Sequence, residues 1–291
     1  MASVEPEQDM SAKVVLITGG NAGIGKETAV GLARQGARVL ITSRDAQRGS
    51  TAVAEIRERS GSDAVEVVAL DLADLASVRR CAAEVLDRAD RLDVLVDNAG
   101  LVMSRRTETA DGFETTFGVN HLGHFLLTNL LLDRLRASTP SRVVVVSSDA
   151  HKQARNGLDF DDLQSEGSYR PFVVYGKSKL ANIYFARELA RRLEGTGVTA
   201  NSLHPGFVAS RFARDGDTGF LLQLGVMLAR PFAISQAAGA RTSVWLASSS
   251  DVDGVSGLYF SKCTAAHTSK AGADDEATKR LWAASEELVG S

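Results

Sequence analysis

Val14-Val15-Leu16-Ile17-Thr18-Gly19-Gly20-Asn21-Ala22-Gly23-Ile24-Gly25-Lys26-Glu27-Thr28 holds the pattern that decides the fold: an apolar run, a glycine turn, and residues that open a helix. A strand entering a helix through glycines suits a dinucleotide. Backbone without Cβ can approach a pyrophosphate, while the helix N-terminus offers N–H groups and the positive end of its dipole. The spacing here is G-x-x-x-G-x-G rather than G-x-G-x-x-G, and glycines at such a turn can also serve the chain alone.

Outward from this turn the same unit repeats. Runs rich in β-branched residues at 14–17, 39–42, 65–70, 94–96, 143–146 and 198–203 read as strands buried on both faces. Between them, 23–35, 46–59, 75–88, 113–136 and 175–193 carry apolar residues at helical spacing. Alternation of this kind predicts an α/β fold, a doubly wound parallel sheet flanked by helices, with ligands at the carboxyl ends of the strands. The final third adds a mixed apolar segment at 205–234, a helix near 236–247, a short strand near 258–260 and a terminal helix. No linker or repeat interrupts the pattern, so one domain over 12–291 is expected, after a frayed tail at 1–11.

Composition narrows the function classes. Hydrophobic residues at 44% and charged residues at 24% exclude a disordered or coiled-coil chain. A net charge of −3 without a dense basic block disfavours nucleic acid. Two cysteines, Cys81 and Cys263, are too few for a disulfide framework and predict free thiols in a reducing cytoplasm. The most apolar window, 220–232, includes Gln223, Arg230 and Pro231, so no membrane span is expected.

The glycine turn is followed, in order, by Asn98-Ala99-Gly100, Asn120, Ser148 and Tyr175-Gly176-Lys177-Ser178-Lys179. This series resembles the short-chain dehydrogenase/reductase family along nearly the whole chain. Residues 119–125, 147–151 and 178–182 are most similar to its retinol-dehydrogenase-like branch. Asp97 departs from the family pattern, in which Asn commonly precedes Asn-Ala-Gly. The resemblance implies a single-domain Rossmann-type fold and reversible hydride transfer between a nicotinamide and a carbonyl or alcohol carbon.

Physical chemistry gives each matched residue a task. Tyr175 and Lys179, at i and i+4, project from one helix face, where an ammonium is expected to lower the phenol pKa toward a useful range. Ser148, after the fifth strand, would hydrogen-bond the substrate oxygen, although a serine there can also merely cap a turn. Asn120 stands in an apolar helical stretch, predicts a local kink, and by resemblance holds a water that completes a proton relay from the Lys.

For the cofactor, the resemblance implicates Gly19, Asn21, Gly23, Ile24 and Gly25 at the pyrophosphate, and Asn98, Ala99 and Gly100 beyond the fourth strand. Asp71 and Leu72 match the adenine contact, although Asp71 could equally cap the following helix. By the same resemblance Tyr175 and Lys179 would meet the nicotinamide ribose, and Pro205, Gly206 and Val208, with Ser210 where Thr is usual, match the nicotinamide-side loop. Arg44 ends the second strand where a basic residue accommodates a 2′-phosphate, and Asp45 is placed to cap the next helix, so NADP(H) is expected.

Apolar residues of 205–234, among them Phe207, Phe212, Phe220 and Leu221, predict a bulky lipophilic substrate, or alternatively a helix packed on the core or a partner subunit. A homo-oligomer is compatible with that second reading. His121 and His124 supply only two ligands, so no metal is expected. His151 and Cys263 are expected in surface or packing roles. A non-catalytic NADP(H)-binding redox sensor is the alternative, opposed by the retention of Asn120, Ser148, Tyr175 and Lys179.

Overall fold

The computed structural model describes residues 9–206 and 234–290. Strand β1 (Val14–Ile17) passes through the glycine turn into helix α1 (Gly23–Arg34). Alternation continues with β2 (Arg38–Ser43), α2 (Ala46–Ser60), β3 (Val65–Ala69), α3 (Leu75–Arg88) and β4 (Val94–Asp97). A single turn, α4 (Thr115–Phe117), a π turn (Gly118–Leu122) and α5 (Gly123–Ala137) lead to β5 (Ser141–Val146). A 3-10 turn (Asp149–Gln153), α6 (Pro171–Arg192) and β6 (Val198–His204) follow. Beyond residue 233 come α7 (Gln236–Ser248), β7 (Tyr259–Ser261), β8 (Thr264–Ala265) and α8 (Asp275–Val289).

The strands form one sheet in the order β3-β2-β1-β4-β5-β6-β7-β8, parallel except for the β7–β8 pair. Its two faces explain the unbroken apolar runs. Val14 and Leu16 join Leu40, Leu95 and Val143 in one core layer, beneath α3, α5, α6 and α8. Val15 and Ile17 join Val39, Ile41 and Val144 in the other, beneath α1, α2 and α7. Strands covered on both sides need no polar alternation. Winding reverses between β1 and β4, which opens a crevice at the carboxyl ends of those strands.

Four local differences from the sequence reading have physical causes. The helix expected over 113–136 is interrupted by the π turn, whose Asn120 side chain bonds a neighbouring loop instead of its own helix. Helix α6 starts at Pro171 rather than Tyr175, because a proline at the first helical position forfeits no hydrogen bond. The antiparallel edge strand β8 was not anticipated: it has only two residues, both exposed, after a turn in which Lys262 and Cys263 take φ of 52° and 58°. Met10, placed in the frayed tail, is buried and its N–H donates to Gln35 O at 2.8 Å. No helix among the described residues is long and apolar enough to cross a membrane.

Candidate active site

The glycine turn owes its shape to contacts that only glycine permits. A Cβ on Gly19 would lie 3.0 Å from the Ala99 Cβ, and one on Gly25 would lie 2.5 Å from Asn98 Nδ2 and 2.6 Å from Gly19 O. These two glycines seat the turn on Asn98 and Ala99. Gly23, with φ of 57°, has no atom of the described residues within 4 Å of its Cβ position, and Ala22, the N-cap of α1, supplies no side-chain acceptor. Asn21 and Ile24 lie half-buried beside it. The first turn of α1 thus presents amides to an open, Cβ-free surface, which fits a pyrophosphate.

Two neighbouring loops complete that end of the crevice. Arg44 is exposed immediately after β2, whereas the Asp45 carboxylate accepts from Arg48 N at 2.7 Å and so caps α2 as expected. Asp71 does not cap α3; Asp74 does, through Ala76 N at 2.8 Å, because it alone directly precedes the helix. Asp71 instead accepts from Ala73 N at 2.9 Å, and the buried Leu72 lies where a Cβ on Gly123 would touch it.

Asn98, Ala99 and Gly100 follow β4 and meet the turn and α6 at once. Asn98 Nδ2 donates to Thr18 O at 2.8 Å, and the Thr18 hydroxyl accepts from the N–H groups of Asn98 and Ala99 at 2.8 and 3.0 Å. The wholly buried Asn120 accepts from Leu101 N at 2.8 Å and donates to Leu101 O and Ser178 Oγ, each at 2.9 Å. A Cβ on Gly100 would stand 3.2 Å from both Asn120 Oδ1 and Lys179 Nζ. Gly100, Asn120 and Lys179 therefore converge at one point.

Helix α6 carries Tyr175 and Lys179 to the end of β5. Lys179 is buried, its Nζ donates to Val146 O at 3.1 Å, and it stands 5.7 Å from the Tyr175 ring centroid. Burial pushes the Lys179 ammonium down to about 8 and the Tyr175 phenol up to about 12. The expected lowering of the phenol by Lys179 is thus absent from this arrangement, because desolvation dominates and the ammonium is held to a carbonyl. The opposing pull on Tyr175 comes from a hydrogen bond with the Ser148 side chain. Gly176 permits this approach, since a Cβ there would lie 2.6 Å from Ala150 O.

Ser147 and Ser148 divide their labour. Ser147 Oγ donates to the Lys179 carbonyl at 2.7 Å, whereas Ser148 Oγ accepts from Ala150 N at 3.1 Å and faces Tyr175. The Ser148 carbonyl is fixed by His151, whose N–H and Nδ1 lie 3.0 and 2.8 Å away; His151 Nε2 accepts from Ser269 N at 3.0 Å. His151 is fully buried, which fits the packing rather than the surface alternative expected for it, and sequence spacing gave no sign of its link to Ser269. Asp97 ends β4, also buried, with Oδ2 accepting from Thr128 Oγ1 at 2.9 Å and Oδ1 without a partner among the described residues.

Pro205 and Gly206, with Gly206 at φ of 88°, follow β6, which pairs with β5. Val208, Ser210 and the apolar segment through Phe232 lie outside the described residues. His121 and His124 do not pair as ligands: His121 Nε2 meets Ser285 Oγ and His124 Nε2 meets Thr18 Oγ1, each at 2.8 Å. Among the described residues no group of three or more potential ligands could hold a metal.

A short chain dehydrogenase family model matches residues 13–160. Retinol dehydrogenase 12 of Mus musculus is 49% identical over 278 residues, covering 96% of this chain and 86% of its own. Retinol dehydrogenase 14 of Homo sapiens is 46% identical over 295 residues, covering 97% and 87%. Among solved structures, an uncharacterised protein from Mycobacterium paratuberculosis superposes with a TM-score of 0.78 at 36% identity, covering 98% of this chain and 96% of that one. The NADP active-site complex of RhlG from Pseudomonas aeruginosa gives 0.70 at 26% identity, covering 88% and 97%. With motif order, sheet order and full-length identity in agreement, the chain belongs to the short-chain dehydrogenase/reductase family, in its retinol-dehydrogenase-like branch.

Proposed function

We propose that this oxidoreductase uses NADP(H) and interconverts a bulky lipophilic carbonyl compound and its alcohol. The observation that carries the reading is the convergence of Ser148, Tyr175, Lys179 and Asn120 at the carboxyl ends of β4 and β5, beside an uncapped glycine turn. Membership of the family supports hydride transfer on an alcohol or carbonyl group. A non-catalytic sensor would have no use for a phenol, hydroxyl and ammonium gathered in this way.

When bound, the nicotinamide gives or takes the hydride; the chain handles binding and the proton. Gly19, Gly23, Gly25 and the amides of α1 hold the pyrophosphate, with Asn21 and Ile24 at its edge. Arg44 pairs with the 2′-phosphate, an assignment supported by its exposure and by the commitment of Asp45 to its cap. Asp71 and Leu72 border the adenine, and Asn98, Ala99, Gly100, Pro205 and Gly206 line the nicotinamide side. Val208 and Ser210 retain the same assignment on sequence grounds.

Tyr175, with its phenol pushed up to about 12, holds its proton at neutral pH and can give it to a carbonyl oxygen as that oxygen gains charge. Ser148 donates a hydrogen bond to the same oxygen and keeps it within reach of Tyr175. Lys179 binds the ribose and, once displaced from Val146 O, stabilises the phenolate that remains. Asn120 anchors Leu101 and the route by which Lys179 regains a proton. In reverse, Tyr175 takes the alcohol proton as the carbon yields its hydride.

The lipophilic reading draws on Phe172, 56% exposed and three residues before Tyr175 on α6, and on Ile234, 39% exposed beside Gly206. Exposed large apolar side chains so close along the chain to the site residues support an apolar ligand. The relatives named retinol dehydrogenases support the same class. Two free cysteines support a reducing, cytoplasmic location. The test follows NADPH consumption with all-trans-retinal, long-chain ketones and small polar aldehydes. Turnover of the apolar compounds is expected; activity restricted to small polar carbonyls, or equal use of NADH, overturns the reading.

A further inference from the structure

We propose that His124 is a positioning residue whose ring, in a single tautomer, ties the cofactor turn at Thr18 to the main chain at Asn120. This assignment rests on the functional reading above and extends it to a residue, within the 119–125 stretch, that has no assigned role there.

His124 lies in the first turn of α5 and is 2% exposed. Its Nδ1 stands 3.2 Å from the Asn120 carbonyl, an acceptor only, so Nδ1 carries the hydrogen. Its Nε2 stands 2.8 Å from Thr18 Oγ1. Burial, with the nearby Lys179 charge as a smaller cause, pushes the imidazole down to about 3, so the ring is neutral and Nε2 offers a lone pair. Thr18 therefore donates to His124; its other available acceptor, Val96 O, is farther away at 3.3 Å. The Thr18 oxygen meanwhile accepts from Asn98 N and Ala99 N.

These bonds close a circuit. From Thr18 it runs to Asn98 and Ala99, along the chain through Gly100 to Leu101, across to the Asn120 side chain, and back through the Asn120 carbonyl and His124 to Thr18. Gly100 lies on this path, where a Cβ would stand 3.2 Å from Lys179 Nζ. The circuit thus fixes the floor against which Lys179 works. A hydrophobic residue in place of His124 would pack in the same space and break the circuit at two points. A charged imidazole would repel Lys179, so the low basicity of the ring also preserves the ammonium.

Nitrogen NMR of ¹⁵N-histidine-labelled protein, with the His124 signals assigned by their loss in His124→Gln, reads the tautomer directly. A protonated Nδ1 and a bare Nε2 are expected; the opposite tautomer overturns the proposal. Variants then separate the two contacts. His124→Asn places an amide nitrogen near the Nδ1 position and can keep Asn120, whereas His124→Gln reaches toward Thr18. NADPH affinity by calorimetric titration should fall more in His124→Asn, by about tenfold. Turnover of a carbonyl accepted by the wild type should fall more in His124→Gln. Equal losses in both variants, or lowered melting temperatures with affinity and turnover unmoved, would reduce His124 to packing and overturn the proposal. Wild-type protein that binds NADPH but reduces nothing would defeat the functional reading, while the tautomer and affinity measurements still decide His124.

Discussion

Thr128 donates a hydrogen bond to one carboxyl oxygen of Asp97 at 2.9 Å, and the other oxygen of that buried carboxyl has no partner among the described residues. Burial raises Asp97 to about 8, far above the roughly 3.9 of an unfolded Asp. The folded state therefore binds a proton that the unfolded state has lost. Stability from this group is fully present below about pH 4 and is lost as pH rises toward 8, with a slope of up to about 1.4 kcal/mol per pH unit. Asp97→Asn, which restores the residue usual in the family, should flatten that slope and raise the melting temperature near pH 8. Parallel melting curves for the two proteins from pH 5 to 9, on the order of the window in which the shift acts, would show that Asp97 is not protonated in the fold.

Tyr175→Phe keeps the ring and removes the proton. Turnover should fall by at least about a hundredfold while NADPH affinity stays close to wild type. Lys179→Ala should lower both, since the proposed mechanism gives one ammonium to the ribose and to the phenolate. Steady-state kinetics with a calorimetric binding titration separates the cases, and comparable turnover in Tyr175→Phe would remove the phenol from the mechanism.

Arg44→Ala should cost NADPH roughly 1.5 to 3 kcal/mol, about tenfold or more in affinity, and leave NADH nearly unaffected. Equal affinity of the wild type for both cofactors would leave Arg44 a solvated surface charge.

Gly25→Ala would drive a methyl group to 2.5 Å from Asn98 Nδ2 and 2.6 Å from Gly19 O, the second a backbone atom that cannot swing aside. A loss of about 1 to 3 kcal/mol in denaturant unfolding is expected, together with weakened NADPH binding. Gly23→Ala has open space around its Cβ but a φ of 57°, so its penalty should come from backbone strain and from crowding of the bound cofactor.

His151→Leu removes the ring donor to the Ser148 carbonyl and the acceptor for Ser269 N. Stability should drop by about 1 to 3 kcal/mol, and turnover should fall without a matching change in NADPH affinity if Ser148 serves the substrate oxygen as proposed. A loss confined to stability would make His151 a strut between the 3-10 turn and the C-terminal segment, with no effect on Ser148.

The residues themselves determined the alternation of strands and helices, the glycine turn and the order of the site motifs. Each of these is a local property: β-branched runs, helical periodicity and the absence of Cβ act over a few residues. Tyr175 and Lys179 could be paired from sequence because helical spacing alone places them on one face. Tertiary structure decided what depends on distant partners. The burial that raises Tyr175 and lowers Lys179 arises from packing around β5 and α6, and no spacing rule encodes it. Thr18 and His124 are 106 residues apart, and His151 and Ser269 are 118 apart, so neither contact leaves a periodic trace. Desolvation and long-range hydrogen bonds exist only once the sheet has brought those segments together, which is why two histidines given no site role in the sequence are found bonded to Thr18 and to the Ser148 carbonyl.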